Sequence, residues 1–404
     1  MYSNPLSSKH KQYFGILLRL VIPIILAVIM VIYPENIFPA AKRGIDTWWQ
    51  VVFPGLFPFF IISELMIRFG IVHFLSVFLE PVMRPLFNVP GSGALVLAAG
   101  YTSGAPIGGI LTSNLEQQNL IDKEEAGRLV AFTNNASPLF MLSSIAIGFL
   151  GLPQVGWLLA GSHYAANLCV GFLLKKLSSK KEYLINTYTI KQLFLLALSR
   201  MQHAGEGARQ PLGHLLGDAT RKAMQNILVV GGFIIIFSVL IEIMSIVGLL
   251  NFLGKILGLV FLPLGMDQAL MVPLASGMLE MTIGIKMVAE SNVSLIQQLV
   301  CISLLLGWAG IAVHAQVAAF ISERGINLAP YFLARMLQSL LAAVFTLILG
   351  LNLLPAITME VIAPEAISSW FIAYHSIKTM FLILFLLLVT NLVIVLWHRL
   401  LRAT

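Results

Sequence analysis

Charge is what this sequence has least of. Only 11% of its 404 residues are Asp, Glu, Lys or Arg, against 58% hydrophobic residues and a mean hydropathy of +0.90. That balance excludes a soluble enzyme with a charged surface. Cysteine is nearly absent too: Cys169 and Cys301 both sit inside apolar stretches, so there is no disulfide framework and no C-x-x-C metal pair. The H-E-x-x-H and G-x-x-x-x-G-K-[ST] patterns do not occur, which removes the motifs of a zinc protease and of an ATP-driven pump. The formal net charge of +7 would suggest nucleic acid in a soluble chain. Here the excess sits mostly in one loop, and the expected partner is the lipid bilayer, with no nucleic acid.

What the chain does have is apolar runs long enough to cross a membrane, which takes about 20 residues in a helix. Eight candidate spans fall at residues 15–33, 47–70, 128–150, 152–174, 224–248, 295–321, 330–354 and 370–397. The first follows Lys9 and Lys11 as a secretory signal would, but its length argues for a retained helix. Two further segments, residues 91–114 and 267–290, are apolar but interrupted by Gly, Pro, Ser and Thr. Each reads as a hairpin that enters and returns on one side, a form tolerated only when buried in protein or lining a cavity. The expected fold is an all-α polytopic membrane protein of about eight spanning helices plus two re-entrant hairpins.

Orientation follows from residues 175–222, which hold nine basic residues against three acidic ones, read as a solvated connector touching anionic headgroups. The positive-inside rule makes that loop cytoplasmic, and counting outward puts both termini in the cytoplasm. Residues 351–371, with Glu360 and Glu365 but no Lys or Arg, then fall outside. Lys42 and Arg43 also fall outside, against the rule.

The chain resembles itself. Phe59, Glu64 and Gly70 align with Phe237, Glu242 and Gly248, and each copy continues into an amphipathic stretch, a broken hairpin and a broken span. Ser103-Gly104 in the first hairpin pairs with Ser276-Gly277 in the second, and the break at residues 133–138 pairs with residues 307–316. Three spans separate the two starts, an odd number, so the second copy is inserted upside down. The expected organisation is an N-terminal span (1–43), a first repeat (44–151), a connecting span with the basic loop (152–217), an inverted second repeat (218–351), and an external loop with a last span (352–404).

Inverted repeats with interrupted helices are the construction of secondary transporters. A helix that stops at mid-membrane leaves unpaired N–H groups at one half-helix start, carrying about half a positive charge, where an anion can rest. The candidate binding residues are therefore Thr102, Ser103 and Gly104 in the first hairpin, Asn134, Asn135 and Ser137 in the first broken span, Ser276, Gly277 and Glu280 in the second hairpin, and His314 in the second broken span. For the amides of the broken span, hydrogen bonding between helices is the alternative. Glu280 is the sharpest candidate, because an intramembrane carboxyl is a functional hypothesis by default; a place in water at the hairpin mouth is its alternative. His314 is read first as a satisfied core histidine, then as a proton shuttle. Glu64 and Glu242, equivalent in the two copies, are candidates for a coupling pair, but each lies late in its span and both are assigned to interfacial positions, and Lys286 to snorkelling. No Arg or Lys is assigned to the core of either repeat, so the anion is held by dipoles and neutral donors. No catalytic residue and no metal site is expected. A serine and histidine pair of an intramembrane protease, Ser103 with His314, is a weak rival that leaves the second copy unexplained.

The segments Gly100-Tyr-Thr-Ser-Gly-Ala-Pro-Ile-Gly-Gly109, Thr133-Asn-Asn-Ala-Ser-Pro-Leu-Phe140 and Leu56-Phe-Pro-Phe-Phe60 resemble the YlbJ family of sporulation integral membrane proteins from endospore-forming bacteria. Members carry two Gate, or nucleoside-recognition, domains and are similar in design to concentrative nucleoside transporters. The resemblance implies movement of dipicolinic acid, a small aromatic dicarboxylate, from the mother cell across the outer forespore membrane, with Phe140 or Trp308 flanking the ring. A nucleoside carrier and a non-transporting sporulation receptor or scaffold are the other functions it leaves. Coupling to protons or sodium, and assembly as a homo-oligomer, stay open.

Overall fold

The computed structural model describes residues 20–21, 23–71, 73, 74, 77, 83, 84, 86–117, 119–176, 190–204, 210–362 and 378. Every regular element among the described residues is helical. Val155–Lys176, Leu212–Ile246, Leu295–Ile321 and Ala329–Leu353 are long and apolar enough to cross a bilayer unaided. The expected last span falls outside the described residues apart from residue 378.

The expected first span ends in a sharp bend. Helix α1 (Pro23–Ile32) meets α2 (Pro34–Thr47) at 106°. Pro34, in the first turn of α2, has no N–H to continue the ladder of α1 and a φ suited to starting a new helix. Residues 34–46, expected as a connector, are therefore helix. Through a π-helical turn at Trp48–Val52, α2 runs into α3 (Phe53–Arg68), so the expected span at 47–70 is only the second half of a longer rod.

That rod lies antiparallel to α9 (Leu212–Ile246). Ser238 Oγ donates to Ala40 O at 2.7 Å, Trp48 Nε1 donates to Ile227 O at 3.0 Å, and Lys222 Nζ reaches Glu64 at 3.1 Å. Moving forward along one rod moves backward along the other. The alignment that equates Glu64 with Glu242 also carries Pro34–Arg68 onto Leu212–Ile246 end for end. Both rods are followed by a glycine in the left-handed region, Gly70 at φ +71° and Gly248 at φ +73°. The expected interfacial glutamates hold the crossing: Glu242 pairs with Arg43 at 2.5 Å, and Glu64 with Arg68 and Lys222 at 3.0 and 3.1 Å. Glu64 is buried among these partners.

Each rod leads into the same series. In the first half come hairpin legs α4 (Gly93–Ser103) and α5 (Ile107–Gln117), then α6 (Lys123–Thr133), a non-helical break and a π-helical stretch Phe140–Phe149, then α7 (Val155–Lys176). Asp122 and Glu125 form a capping box that fixes the start of α6. Within the loop expected at 175–222, α8 (Ile190–Ala204) and the first turns of α9 are helical. In the second half come α10 (Leu249–Phe261), hairpin legs α11 (Met271–Leu279) and α12 (Met281–Ala289), a broken span α13 (Leu295–Trp308) and α14 (Gly310–Ile321), then α15 (Ala329–Ile362). The first twelve residues of the external loop expected at 351–371 thus belong to α15. Since the rods are antiparallel and each hairpin follows the far end of its rod, the hairpins approach from opposite ends of the bundle. The largest apolar cluster, drawn from both halves and including Phe140, Leu158, Leu274 and Leu305, packs around them.

Candidate functional site

The first hairpin tip is docked on the first break. Helix α6 stops at Thr133, and the next four residues replace its ladder with side chains. Asn134 Oδ1 accepts from Gly109 N at 2.9 Å, capping α5, and its Nδ2 donates to Val130 O at 2.9 Å. Asn135 O accepts from Ala105 N at 2.8 Å, and Ser137 Oγ accepts from Phe140 N at 3.1 Å. Gly104, at φ +83°, lies so close that a Cβ there would stand 3.0 Å from Ser137 N. Only glycine suits both that conformation and that approach.

The second half repeats the arrangement with different chemistry. Ala309 at φ +74° and Gly310 at φ +81° break the span between α13 and α14. A Cβ on Gly310 would lie 3.0 Å from Met281 N and 3.2 Å from Gly277 O. The tip of the second hairpin is Glu280, extended between α11 and α12, whose carboxylate accepts from Ile283 N at 2.7 Å. Glu280 is 4% exposed, so it does not sit in water at a hairpin mouth.

Both tips and both breaks face one cavity of about 80 Å³. Its polar lining is Ser103, Asn135, Ser137, Glu280, Thr282 and Gln316, and Phe60, Phe140 and Phe233 line its apolar side. Of the sequence candidates, Ser103, Gly104, Asn135, Ser137 and Glu280 are brought together here. Asn134 stands behind them as the cap of α5. A second polar cleft of about 360 Å³, lined by Arg43, Thr47, Glu242 and Lys286, continues along α9 and α12 toward the Pro34 end of the rods. Lys286 Nζ donates to Thr47 Oγ1 at 3.3 Å there.

Four expectations need correcting. Thr102 does not line the cavity: its hydroxyl bonds back to Ala98 O at 2.9 Å and Ala99 O at 3.2 Å. Ser276 and Gly277 are not the counterparts of Ser103 and Gly104, because the second tip falls three residues later, at Glu280. Gly277 instead lets the hairpin legs cross, for a Cβ on Gly284 would lie 2.1 Å from Gly277 Cα. His314 keeps its first reading, a core histidine, and only its alternative role in the cavity falls: its Nδ1 lies 2.9 Å from Tyr331 OH and its ring is edge-on to Trp308 at 4.4 Å. Trp308 donates to Met278 O at 3.1 Å and does not line the cavity, whereas Phe140 does. Finally, the hairpin-leg starts expected to receive an anion are capped by the chain itself, α5 by Asn134 and α12 by the Glu280 carboxylate, whereas the start of α14 at the second break has no side-chain cap.

The expectation of a core without a cation is overturned by Arg335 on α15, which is 0% exposed. Its Nη1 donates to Asn134 O and to Gln338 Oε1, both at 2.8 Å, and its Nη2 to Leu306 O at 3.2 Å. These acceptors include a carbonyl in the last turn of α13 and one just past the end of α6, groups that a broken helix leaves unpaired. Gln338 Nε2 donates to Asn135 Oδ1 at 3.1 Å, Asn167 Nδ2 donates to Gln338 Oε1 at 2.9 Å, and Tyr101 donates to Asn167. The signal for this network was one arginine with a glutamine three residues on, inside an otherwise apolar span.

Comparison with known proteins gives the following likenesses. Residues 49–153 and 227–327 match the Gate model, described as nucleoside recognition. The sporulation integral membrane protein YlbJ of Bacillus subtilis (strain 168) is 46% identical over 323 residues, 78% of this chain and 78% of that protein. An uncharacterized protein of Alkalihalophilus pseudofirmus is 29% identical over 92 residues, 23% of this chain and 19% of that one. A solved structure of a CNTnw variant in its intermediate 2 state shares the fold, with a TM-score of 0.50 and 15% identity over 80% of this chain and 85% of that one.

Proposed function

This chain belongs to the Gate family of nucleoside-recognition membrane proteins, and from that premise we propose that it is a secondary transporter of sporulating cells that moves dipicolinic acid. The observation that carries the transport reading is one buried cavity touched by both hairpin tips and both helix breaks of two antiparallel halves. Such halves can exchange conformations, opening the cavity to one face and then the other. The sporulation role is taken over from the name of the relative in Bacillus subtilis, and the substrate from the family resemblance. In the cavity, the amides of Asn135 and Gln316 and the hydroxyl of Ser103 supply neutral donors for two carboxylates, with phenylalanines beside the ring. Glu280 shares that space. Two like charges in a poorly hydrated cavity repel, so the anion enters with a proton on Glu280. The basic loop faces the cytoplasm of the mother cell, in the outer forespore membrane.

The test is uptake of labelled dipicolinate into proteoliposomes, with and without proton and sodium gradients. Uptake driven by a proton gradient is expected. No uptake of folded protein under any gradient would favour a receptor or scaffold. One observation favours a second substrate class: a carboxylate beside two amides also suits the hydroxyls of a nucleoside. Competition by unlabelled nucleoside but not by dipicolinate would select it.

A further inference from the structure

Neither Arg335 nor its acceptors line the cavity, but Asn135 and Ala309, at the same two helix breaks, do. Among the described residues no carboxylate pairs with it, and it is fully buried. An isolated buried guanidinium is unfavourable unless something local compensates its charge. The compensation here is the negative end of two helices, because α6 and α13 both terminate at the guanidinium and each C-terminus carries about half a negative charge. Two such ends sum to about one charge. The relation also runs the other way: without the arginine, both helices would aim an uncancelled negative end at the cavity, next to Glu280.

We propose that Arg335 sets the charge preference of the cavity by cancelling the helix ends at both breaks, so that an anion is accepted where the bare backbone would repel it. This rests on the reading of the cavity as an anion site. A second link is positional. Gln338 Oε1 accepts from both Arg335 and Asn167, which fixes the amide so that its nitrogen faces Asn135 Oδ1. Arg335 is thus a positioning residue for a cavity-lining amide as well as a source of charge.

The test is equilibrium binding of labelled dipicolinate and of its uncharged diamide to detergent-purified protein, with melting temperature recorded beside it. Wild type is expected to prefer the anion. Arg335→Lys keeps the charge but not the fork, so it melts lower and keeps the preference within about threefold. Arg335→Gln exposes the helix ends and shifts the preference toward the diamide by about tenfold or more. Gln338→Glu sets a carboxylate against the arginine while leaving its side chain in place, and is expected to give the same shift in a folded protein. An unchanged preference in Gln338→Glu, or an equal loss in Arg335→Lys and Arg335→Gln, overturns the inference. So does binding of neither probe by wild type, since the inference asserts a cavity that takes this anion. Preferential binding of the anion without uptake in vesicles would instead sink the transport reading alone.

Discussion

Gly284→Ala is the substitution whose effect the geometry sets most tightly. Hairpin legs α11 and α12 cross at Gly277 and Gly284, where an added Cβ would stand 2.1 Å from Gly277 Cα and 2.3 Å from Gly277 N. Carbon atoms pack at about 3.5 Å or more, so the legs must part by about 1.4 Å. Both obstructing atoms are backbone, and no side-chain rotation relieves them. Overpacking of this kind costs about 1–3 kcal/mol, against which the better helix propensity of Ala returns at most about 1. The strain does not stay local, because Gly310 rests on Met281 N at the same tip and Glu280 caps the displaced leg. The expected result is a melting temperature lowered by a few degrees and uptake reduced well beyond what that loss explains. Gly232→Ala is the control: it lies in α9 with no neighbour within 4 Å of an added Cβ, and is expected to stabilise by about 0.5–1 kcal/mol. Equal melting temperatures and equal uptake for Gly284→Ala and wild type would refute the crossing geometry.

Asn134→Ala removes the cap of α5 and is expected to cost about 1–2 kcal/mol, read by thermal denaturation, and to depress uptake as the hairpin tip loosens. Thr102→Ala, whose hydroxyl only bonds back along its own helix, should leave uptake within about twofold of wild type; a large loss would put the hydroxyl in the cavity after all. Glu280→Gln keeps an acceptor for Ile283 N and removes the ionisable group, so the protein should fold and lose its response to a proton gradient. Persistence of that response would rule out Glu280 as the proton carrier.

Much of the fold was legible because membrane helices announce themselves by apolar length, and because Glu64 and Glu242 mark the same place in two copies. The hairpins and the broken spans were legible from Gly, Pro, Ser and Asn in runs that should hold none. Register was not. Ser276-Gly277 looks like Ser103-Gly104, but a Ser-Gly pair serves equally as a tip or as a helix crossing, and only packing against Gly284 decides. Pro34 reads as a loop signal and also as a helix start; the partner at Glu242 that holds Arg43 on α2 lies in the other half of the chain. Arg335 stayed hidden because its role depends on two helix ends, near Asn134 and Leu306, that are far from it in sequence.

The central claim is that two hairpins from opposite faces close one shared site. It is tested most directly by single-cysteine labelling in oriented vesicles, in protein with Cys169 and Cys301 replaced by serine. Ser103→Cys and Thr282→Cys, one at each tip, are exposed in turn to a membrane-impermeant thiol reagent from each side. The account predicts that the two are labelled together, from whichever face the shared cavity is open to, and that dipicolinate protects both. Labelling of one from a face that leaves the other unreacted, or protection of one without the other, would contradict it.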